Sequence, residues 1–118
     1  MEHKTKYLNQ TRNGFLVFCK DCGVYHLTFG NFYLELTENE LYHFCAFLQD
    51  IDAGYWEKKY CGCTLKRKIP IPTQQINLYL MLNRTELEEL KHLVFFKERQ
   101  ERMHLIQIED VDYDFIKN

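Results

Sequence analysis

The feature that most constrains this fold occurs twice: an alternating apolar strand that runs directly into a helix start. The segments LELTENELYHFCAFL (34–48) and LMLNRTELEELKHLV (80–94) align without a gap. In each, the alternation ends at a residue that commonly caps helices, Thr37 or Asn83. A glutamate three residues later completes a capping box in both copies. The sequence therefore predicts two strand-to-helix units.

The rest of the chain adds strands rather than helices. Short runs that alternate apolar and polar residues, with Gly-Asn or Cys-Gly between them, are typical of an antiparallel meander. Strands are expected near 5–9, 14–19, 24–29, 32–37, 55–61, 64–71 and 76–82, and helices at about 38–52 and 84–102. The fold class is α+β: an antiparallel, curved sheet with two helices. We expect one domain over 1–118, with half-repeats 14–52 and 55–102 and an acidic tail at 109–118.

Helical and strand periods also assign the core. Apolar residues at helical spacing form the inner faces of the two helices: Leu41, Phe44, Cys45, Leu48, Ile51, Leu87, Leu90, Leu93 and Val94. Alternating residues of the preceding strands face the same core: Phe32, Leu34, Leu36, Ile76, Leu78, Leu80 and Leu82. Tyr33 and Tyr79 then lie on the opposite side, and a strand near 104–109 is expected in the tail.

Composition excludes several classes of protein. The 118 residues are 46% hydrophobic, with nine Phe and eight Tyr, which is far from the composition of a disordered chain. The sequence has no apolar run long enough to span a membrane and no export signal at its start, so we expect no membrane association. Five cysteines in a chain without that signal indicate reduced thiols in the cytoplasm. A net charge of −2 gives no overall attraction to nucleic acid.

No catalytic pattern emerges from the sequence. The chain contains no serine, its five glycines are scattered at turns, and no histidine is spaced for a metal motif. His26 lies inside a strand with Val24 and Thr28, where a half-buried histidine with one hydrogen-bond partner is the ordinary interpretation. We predict that the protein is not an enzyme.

The cysteines allow two interpretations. Cys19-Lys20-Asp21-Cys22-Gly23 joins two strands and is predicted to be a structural turn, with Gly23 relieving the backbone at its exit. The alternative is a zinc site of four thiolates, which would need the turn that contains Cys61 and Cys63 to lie beside it. A thioredoxin-like redox role is disfavoured because that motif needs its first cysteine at a helix N-terminus, where the dipole lowers the thiol pKa, and here a strand follows the motif. No cofactor other than this zinc is expected.

The leading function is a non-catalytic binding or interaction module whose partner is a second copy of the chain or another protein. The alternative is binding of single-stranded nucleic acid, since exposed tyrosines can stack on bases and a basic stretch can contact phosphates. The residues that would do this are Tyr25, Tyr33, Tyr79, Lys58, Lys59, Lys66, Arg67 and Lys68. A run of cations on an edge strand is also an ordinary protection against aggregation.

One resemblance extends over most of the chain. The pattern C-x-x-C-x-x-Y-x-L-x-F-G-N beginning at Cys19, with the later IPIPT and L-x-L-x-x-x-E-L, resembles a family of short uncharacterised proteins from Bacteroidetes, a domain of unknown function. The similarity covers about 14 to 95 and implies no activity, substrate or catalytic residue. By order of elements alone, the chain is also similar to PUR-type and whirly-type folds that bind single strands.

Overall fold

The computed structural model describes residues 5–96. It contains six strands and three helices in this part of the chain. Their order is β1 (Thr5–Thr11), β2 (Gly14–Cys19), β3 (Val24–Phe29), β4 (Phe32–Thr37), α1 (Glu38–Asp50), α2 (Ala53–Lys59), β5 (Ile69–Pro72), β6 (Tyr79–Leu82) and α3 (Arg84–Val94). The predicted α+β class is confirmed.

The first four strands form one antiparallel sheet in the order β1–β2–β3–β4. Each neighbouring pair is consecutive in the chain, so tight turns suffice as connections. Gly23 and Gly30 sit in the last two turns with φ of 72° and 58°. Glycine adopts this left-handed conformation without the steric cost that a Cβ atom would bring. The strands β5 and β6 form a separate two-stranded antiparallel sheet.

One face of the four-stranded sheet packs against α1 and α3. Leu16 and Leu27 on this face are fully buried, as are Leu48 of α1 and Leu90 of α3. Ile69 and Ile71 of β5 join the same core. Burying each of these side chains contributes about 1.5–3 kcal/mol relative to leaving it in water. The predicted inner faces of both helices are confirmed, because every residue assigned to them is buried or packed against the core.

Both predicted helix starts are confirmed as capping boxes. The Thr37 hydroxyl accepts from the Glu40 amide at 3.2 Å, and the Glu40 carboxylate accepts from the Thr37 amide at 2.9 Å. The corresponding distances between Asn83 and Glu86 are 2.8 and 2.9 Å. Each box satisfies two backbone N–H groups that the helix itself leaves unpaired.

The prediction of a strand at 55–61 is wrong, because residues 55–59 lie in the helix α2 and residues 60 and 61 lie in the turn that follows it. Asp52 caps α2 by accepting from the Tyr55 amide at 3.1 Å. Trp56 and the helix's cap residue Tyr60 stack with their ring centroids 5.9 Å apart, as residues four apart commonly do along a helix. The aromatic residues suggested a strand by propensity, but the cap and the packing of Trp56 on the core outweigh that preference.

The strand before α3 is also shorter than predicted. It begins at Tyr79, and residues 73–78 form the connection from β5. The Thr73 hydroxyl donates to the Leu78 carbonyl at 2.9 Å, which closes this connection. Ile76 is consequently 90% exposed and Leu78 49% exposed, so their predicted core positions are wrong. The extended segment predicted at 64–71 is confirmed only from Ile69, where β5 begins.

The remaining differences concern helix ends. The helix α1 ends at Asp50 and is followed by its cap Ile51, slightly earlier than predicted. The helix α3 ends at Val94, with Phe95 as its cap. The predicted helical residues beyond 96, the strand near 104–109 and the acidic tail 109–118 lie outside the described residues. No helix within residues 5–96 is long and apolar enough to cross a membrane.

Candidate interaction surface and cysteine turn

The face of the four-stranded sheet opposite α1 and α3 carries several exposed aromatic side chains. We use the name outer face for seven of the residues that strand alternation and register place there: Tyr7, Phe15, Val17, His26, Thr28, Tyr33 and Glu35. Tyr7, Phe15 and Tyr33 keep 52, 37 and 53% of their surface exposed. Tyr7 and Phe15 contact each other with ring centroids 6.0 Å apart. Of the three rings, only Tyr33 was predicted from the sequence to be exposed.

A small polar network holds Tyr33 on this face. Its hydroxyl donates to the Glu35 carboxylate at 2.8 Å and also contacts Nδ1 of His26. The two rings stack with centroids 5.9 Å apart. Partial burial, the hydrogen bond to Glu35 and the nearby negative charge all raise the pKa of the Tyr33 hydroxyl. The group therefore stays a neutral donor, and its ring is fixed in orientation.

The Cys-x-x-Cys segment forms the turn that the sequence predicts. The Gly23 amide donates to the Cys19 carbonyl at 2.9 Å, and the Cys22 amide donates to Sγ of Cys19 at 3.2 Å. The two sulfur atoms are 2.8 Å apart. Cys19 is buried, whereas Cys22 is exposed. The hydrogen bond with Cys19 raises the pKa of the Cys22 thiol, as do slight burial and the nearby Asp21 and Glu35 carboxylates.

The other two cysteines lie in the turn after α2. The Cys63 amide donates to the Tyr60 carbonyl at 2.9 Å, and both Cys61 and Cys63 are exposed. Within residues 5–96, no three or more Cys, His, Asp or Glu side chains are grouped so that they could hold a metal ion. The structure thus does not gather Cys19, Cys22, Cys61 and Cys63 into the tetrahedral set that zinc would need.

The tyrosines of the predicted nucleic-acid site do not share a surface. Tyr25 faces the core, is 6% exposed and packs on Phe18 with ring centroids 4.7 Å apart. A ring buried in this way cannot stack on a base, so the predicted role of Tyr25 is wrong. Tyr33 belongs to the outer face, whereas Tyr79 lies on the two-stranded sheet. Strand alternation contained the signal, since Tyr25, Leu27 and Phe29 lie on one side of β3.

The predicted basic residues also lie on different parts of the molecule and do not form one patch. Arg67 forms a bidentate ion pair with Glu86, with N–O distances of 2.8–3.0 Å, which raises the pKa of Arg67 and lowers that of Glu86. Lys66 is exposed in the loop before β5, and Lys68 is half-buried beside Glu57. Lys58 and Lys59 lie on α2 and not on an edge strand.

The helix α2 carries an aromatic cluster that the sequence analysis did not single out. Nζ of Lys59 lies 5.9, 5.1 and 5.7 Å from the ring centroids of Tyr55, Trp56 and Tyr60, within the range of cation–π contacts. Tyr55 is 54% exposed. The spacing Tyr-Trp-x-x-x-Tyr, interpreted at helical period, would have predicted this cluster.

A groove of about 430 Å³ separates the β3–β4 turn from β6. Its walls include Phe29, Phe32, Tyr79 and Met81, and the Arg67–Glu86 ion pair lies at its margin. Because both charges of this pair are satisfied by each other, the groove offers a ligand no unpaired charge from Arg67 or Glu86.

Comparison with known proteins yields one match. A family model described as "Family of unknown function (DUF6686)" matches residues 1–118. No curated protein and no solved structure matches the chain. The similarity to PUR-type and whirly-type folds and a Bacteroidetes origin therefore stay predictions.

Proposed function

Because the chain belongs to the DUF6686 family, whose description assigns no function, we propose a function from its own side chains. We propose that it is a non-catalytic interaction module that associates with a second copy of itself through the outer face. The observation that carries this proposal is the group of three exposed aromatic rings, Tyr7, Phe15 and Tyr33, on one sheet face. Aromatic side chains are enriched at the centres of protein interfaces.

The charge of the outer face favours a second copy as the partner. A two-fold symmetric contact places the same patch on both sides, so a strongly charged patch would repel itself. The outer face has one carboxylate, Glu35, which accepts a hydrogen bond from Tyr33 and lies 3.8 Å from Nδ1 of His26. Its remaining side chains are aromatic, aliphatic or hydroxylic. Such a surface has little charge with which to repel its own copy.

The size of the face predicts a weak dimer. Four strands about 4.8 Å apart and about six residues long cover roughly 400 Å². A standard interface buries about 800 Å² on each partner. We therefore expect a dissociation constant of roughly 10 µM or higher, in the range of transient interactions.

Sedimentation equilibrium of the full chain over a wide concentration range tests this proposal. Phe15→Lys places a cation on the outer face and should raise the dissociation constant at least about tenfold. The matched control is Tyr42→Lys, on α1, where the side chain is 68% exposed; it should leave the dissociation constant unchanged. Far-UV circular dichroism verifies that both variants are folded. A wild-type chain that stays monomeric, or equal weakening by both variants, would contradict the proposal.

A second candidate function, binding of single-stranded nucleic acid, has support at α2 and not at the sheet tyrosines. There the exposed Tyr55 lies beside Lys58 and Lys59, with Lys68 close to Glu57 of the same helix. Bases stack on aromatic rings with about 1–3 kcal/mol per base, and lysines contact phosphates.

Fluorescence anisotropy with a labelled single-stranded oligonucleotide, at several salt concentrations, tests this candidate. The double variant Lys58→Ala/Lys59→Ala should weaken binding and reduce the slope of log affinity against log salt by about 2. Lys20→Ala, an exposed lysine of the cysteine turn, is the control and should change neither. Absent binding, or binding indifferent to salt, would rule out this function.

A further inference from the structure

The two thiols of the β2–β3 turn are positioned close to bonding distance. Sγ of Cys19 and Sγ of Cys22 are 2.8 Å apart. A disulfide bond is about 2.05 Å long, so the sulfur atoms need to approach by less than about 1 Å. Cys61 and Cys63 are also close in the chain. In the part of the chain that the structure describes, their sulfur atoms make no hydrogen-bonded contact with each other.

The turn itself keeps the two sulfur atoms together. Gly23 adopts a φ of 72°, and its amide hydrogen bond to the Cys19 carbonyl closes the loop around both cysteines. The Cys22 amide donates to Sγ of Cys19 and so aims that sulfur into the loop. Bond formation thus begins from two side chains that the turn already holds in contact.

The two thiols differ in accessibility. Cys22 is exposed at the turn, whereas Cys19 retains only 1% of its surface. An external reagent therefore reaches Cys22 first. Cys19 is then the internal thiol that can resolve any adduct formed on its neighbour. This pairing of an accessible and a shielded cysteine is the arrangement that thiol–disulfide exchange uses.

We propose that Cys19 and Cys22 form a reversible redox site that closes to an intramolecular disulfide by exchange with a low-molecular-weight disulfide, such as oxidised glutathione. The Cys22 thiol loses its proton to water, and the resulting thiolate attacks one sulfur of the reagent to form a mixed disulfide, while one glutathione thiolate leaves. The Cys19 thiol then passes its proton to the glutathione thiolate that has left, and the Cys19 thiolate attacks Sγ of Cys22. The second glutathione thiolate leaves and takes up the proton that Cys22 gave to water. The two cysteines are oxidised by two electrons, and the reagent is reduced to two thiols.

The surroundings of Cys22 make this exchange slow at neutral pH. The groups that interact with its thiol include Cys19, Asp21, Glu35 and the Tyr33 hydroxyl, and the contacts with Cys19, Asp21 and Glu35 raise the pKa of the thiol. Because the attacking species is the thiolate, a raised thiol pKa reduces the reactive fraction. We therefore expect exchange over minutes to hours, faster at alkaline pH, as for an uncatalysed disulfide rearrangement. These rates are typical of a site that responds to sustained oxidation and not of a fast catalyst.

Peptide mapping of the full chain gives a direct test, because Lys20 lies between the two cysteines. The reduced protein is equilibrated with mixtures of reduced and oxidised glutathione, then denatured, alkylated and digested with trypsin, which cleaves after Lys20. A Cys19–Cys22 disulfide keeps the peptide that ends at Lys20 joined to the peptide that begins at Asp21. Treatment with dithiothreitol should separate them.

Two variants make the result specific. Cys61→Ser/Cys63→Ser keeps the proposed site and should yield the same linked peptides as wild type. Cys22→Ser should yield none, with Cys19 slow to alkylate in the folded chain because it is buried. The equilibrium constant for closing the Cys19–Cys22 disulfide should exceed that for Cys61 and Cys63 by at least tenfold. Alkylation of both Cys19 and Cys22 under oxidising mixtures, or preferential oxidation of Cys61 and Cys63, would overturn the proposal.

Discussion

The size of a single side chain limits how closely the sheet and the helices of this fold can pack. Gly14 begins β2 at a point where α3 and β3 meet it. A Cβ atom there would lie 2.5 Å from the Thr28 carbonyl oxygen and 2.9 Å from Cδ1 of Phe29. It would also lie 3.0 Å from Cδ2 of Leu93 on α3. Glycine is needed at this position because neighbouring atoms leave no room for a Cβ atom, and not because of its backbone angles.

Gly14→Ala should therefore destabilise the protein by about 1–3 kcal/mol, the usual cost of inserting atoms into a packed core. The matched control is Gly62→Ala, since a Cβ atom at Gly62 meets nothing within 4 Å. That change should alter the free energy of unfolding by about 0.5 kcal/mol or less. Urea titration of both variants measures the difference. Equal stability of the two would show that the core accommodates the methyl group.

Hydrogen bonds from side chains connect elements that are distant in the sequence. The β1–β2 hairpin is attached to α3 through Glu89, whose carboxylate accepts from the Thr11 hydroxyl at 2.6 Å and from the Asn13 amide at 2.7 Å. Nδ2 of Asn9 donates to the His92 and Leu93 carbonyls near the end of the same helix, at 3.1 Å each. Polar residues of a hairpin thus hold a helix in place beside the apolar contacts.

The link through Glu89 should make stability depend on pH. Partial burial acts to raise the pKa of Glu89, but its hydrogen bonds from Thr11 and Asn13 outweigh burial, so the pKa is lowered. A carboxylate with a lowered folded pKa stabilises the native state above its unfolded pKa, near 4.5. This stabilisation is lost as pH falls through the lower folded value. Stability should therefore decrease between about pH 5 and pH 3.

The variant Glu89→Gln isolates this contribution. It should lower the melting temperature at pH 7 and reduce the loss of stability on acidification. Part of that loss should remain, because Glu40, Glu57 and Glu86 also have lowered pKa values. Glu88→Gln, at an exposed neighbouring position of α3, is the control and should follow the wild-type profile. Identical pH profiles for Glu89→Gln and wild type would show that these hydrogen bonds contribute nothing.

At the scale of the whole molecule, the two sheets and three helices of residues 5–96 share one core but leave different surfaces outside. The core contains Leu27 of the four-stranded sheet, Ile71 of the two-stranded sheet and Leu87 of α3. The outer face, the α2 cluster and the 73–78 connection lie on its periphery, each with exposed aromatic or aliphatic side chains. The proposed self-association belongs to this scale, because it depends on which sheet face the helices leave open.

Local sequence signals predicted the elements whose structure depends on near neighbours. The strand alternation of β4, the capping boxes at Thr37 and Asn83, and the glycine turn after Cys22 all came from residues within a few positions of one another. Such signals act through backbone hydrogen bonds and side-chain periods, which are short-range. The α+β class, both helix inner faces and the exposed Tyr33 follow from them.

Tertiary packing decided the rest. The segment 53–59 is helical because Asp52 caps it and Trp56 packs on a core formed by distant residues. Ile76 is exposed because the connection from β5 turns away from the core before β6 begins. Phe15 is exposed on the outer face because α1 and α3 pack on the opposite side of the sheet. The strand sequence GFLVFC is apolar on both faces, so it does not indicate which face the helices cover. A strand's two faces are chemically alike in that segment, so only the position of the helices distinguishes them.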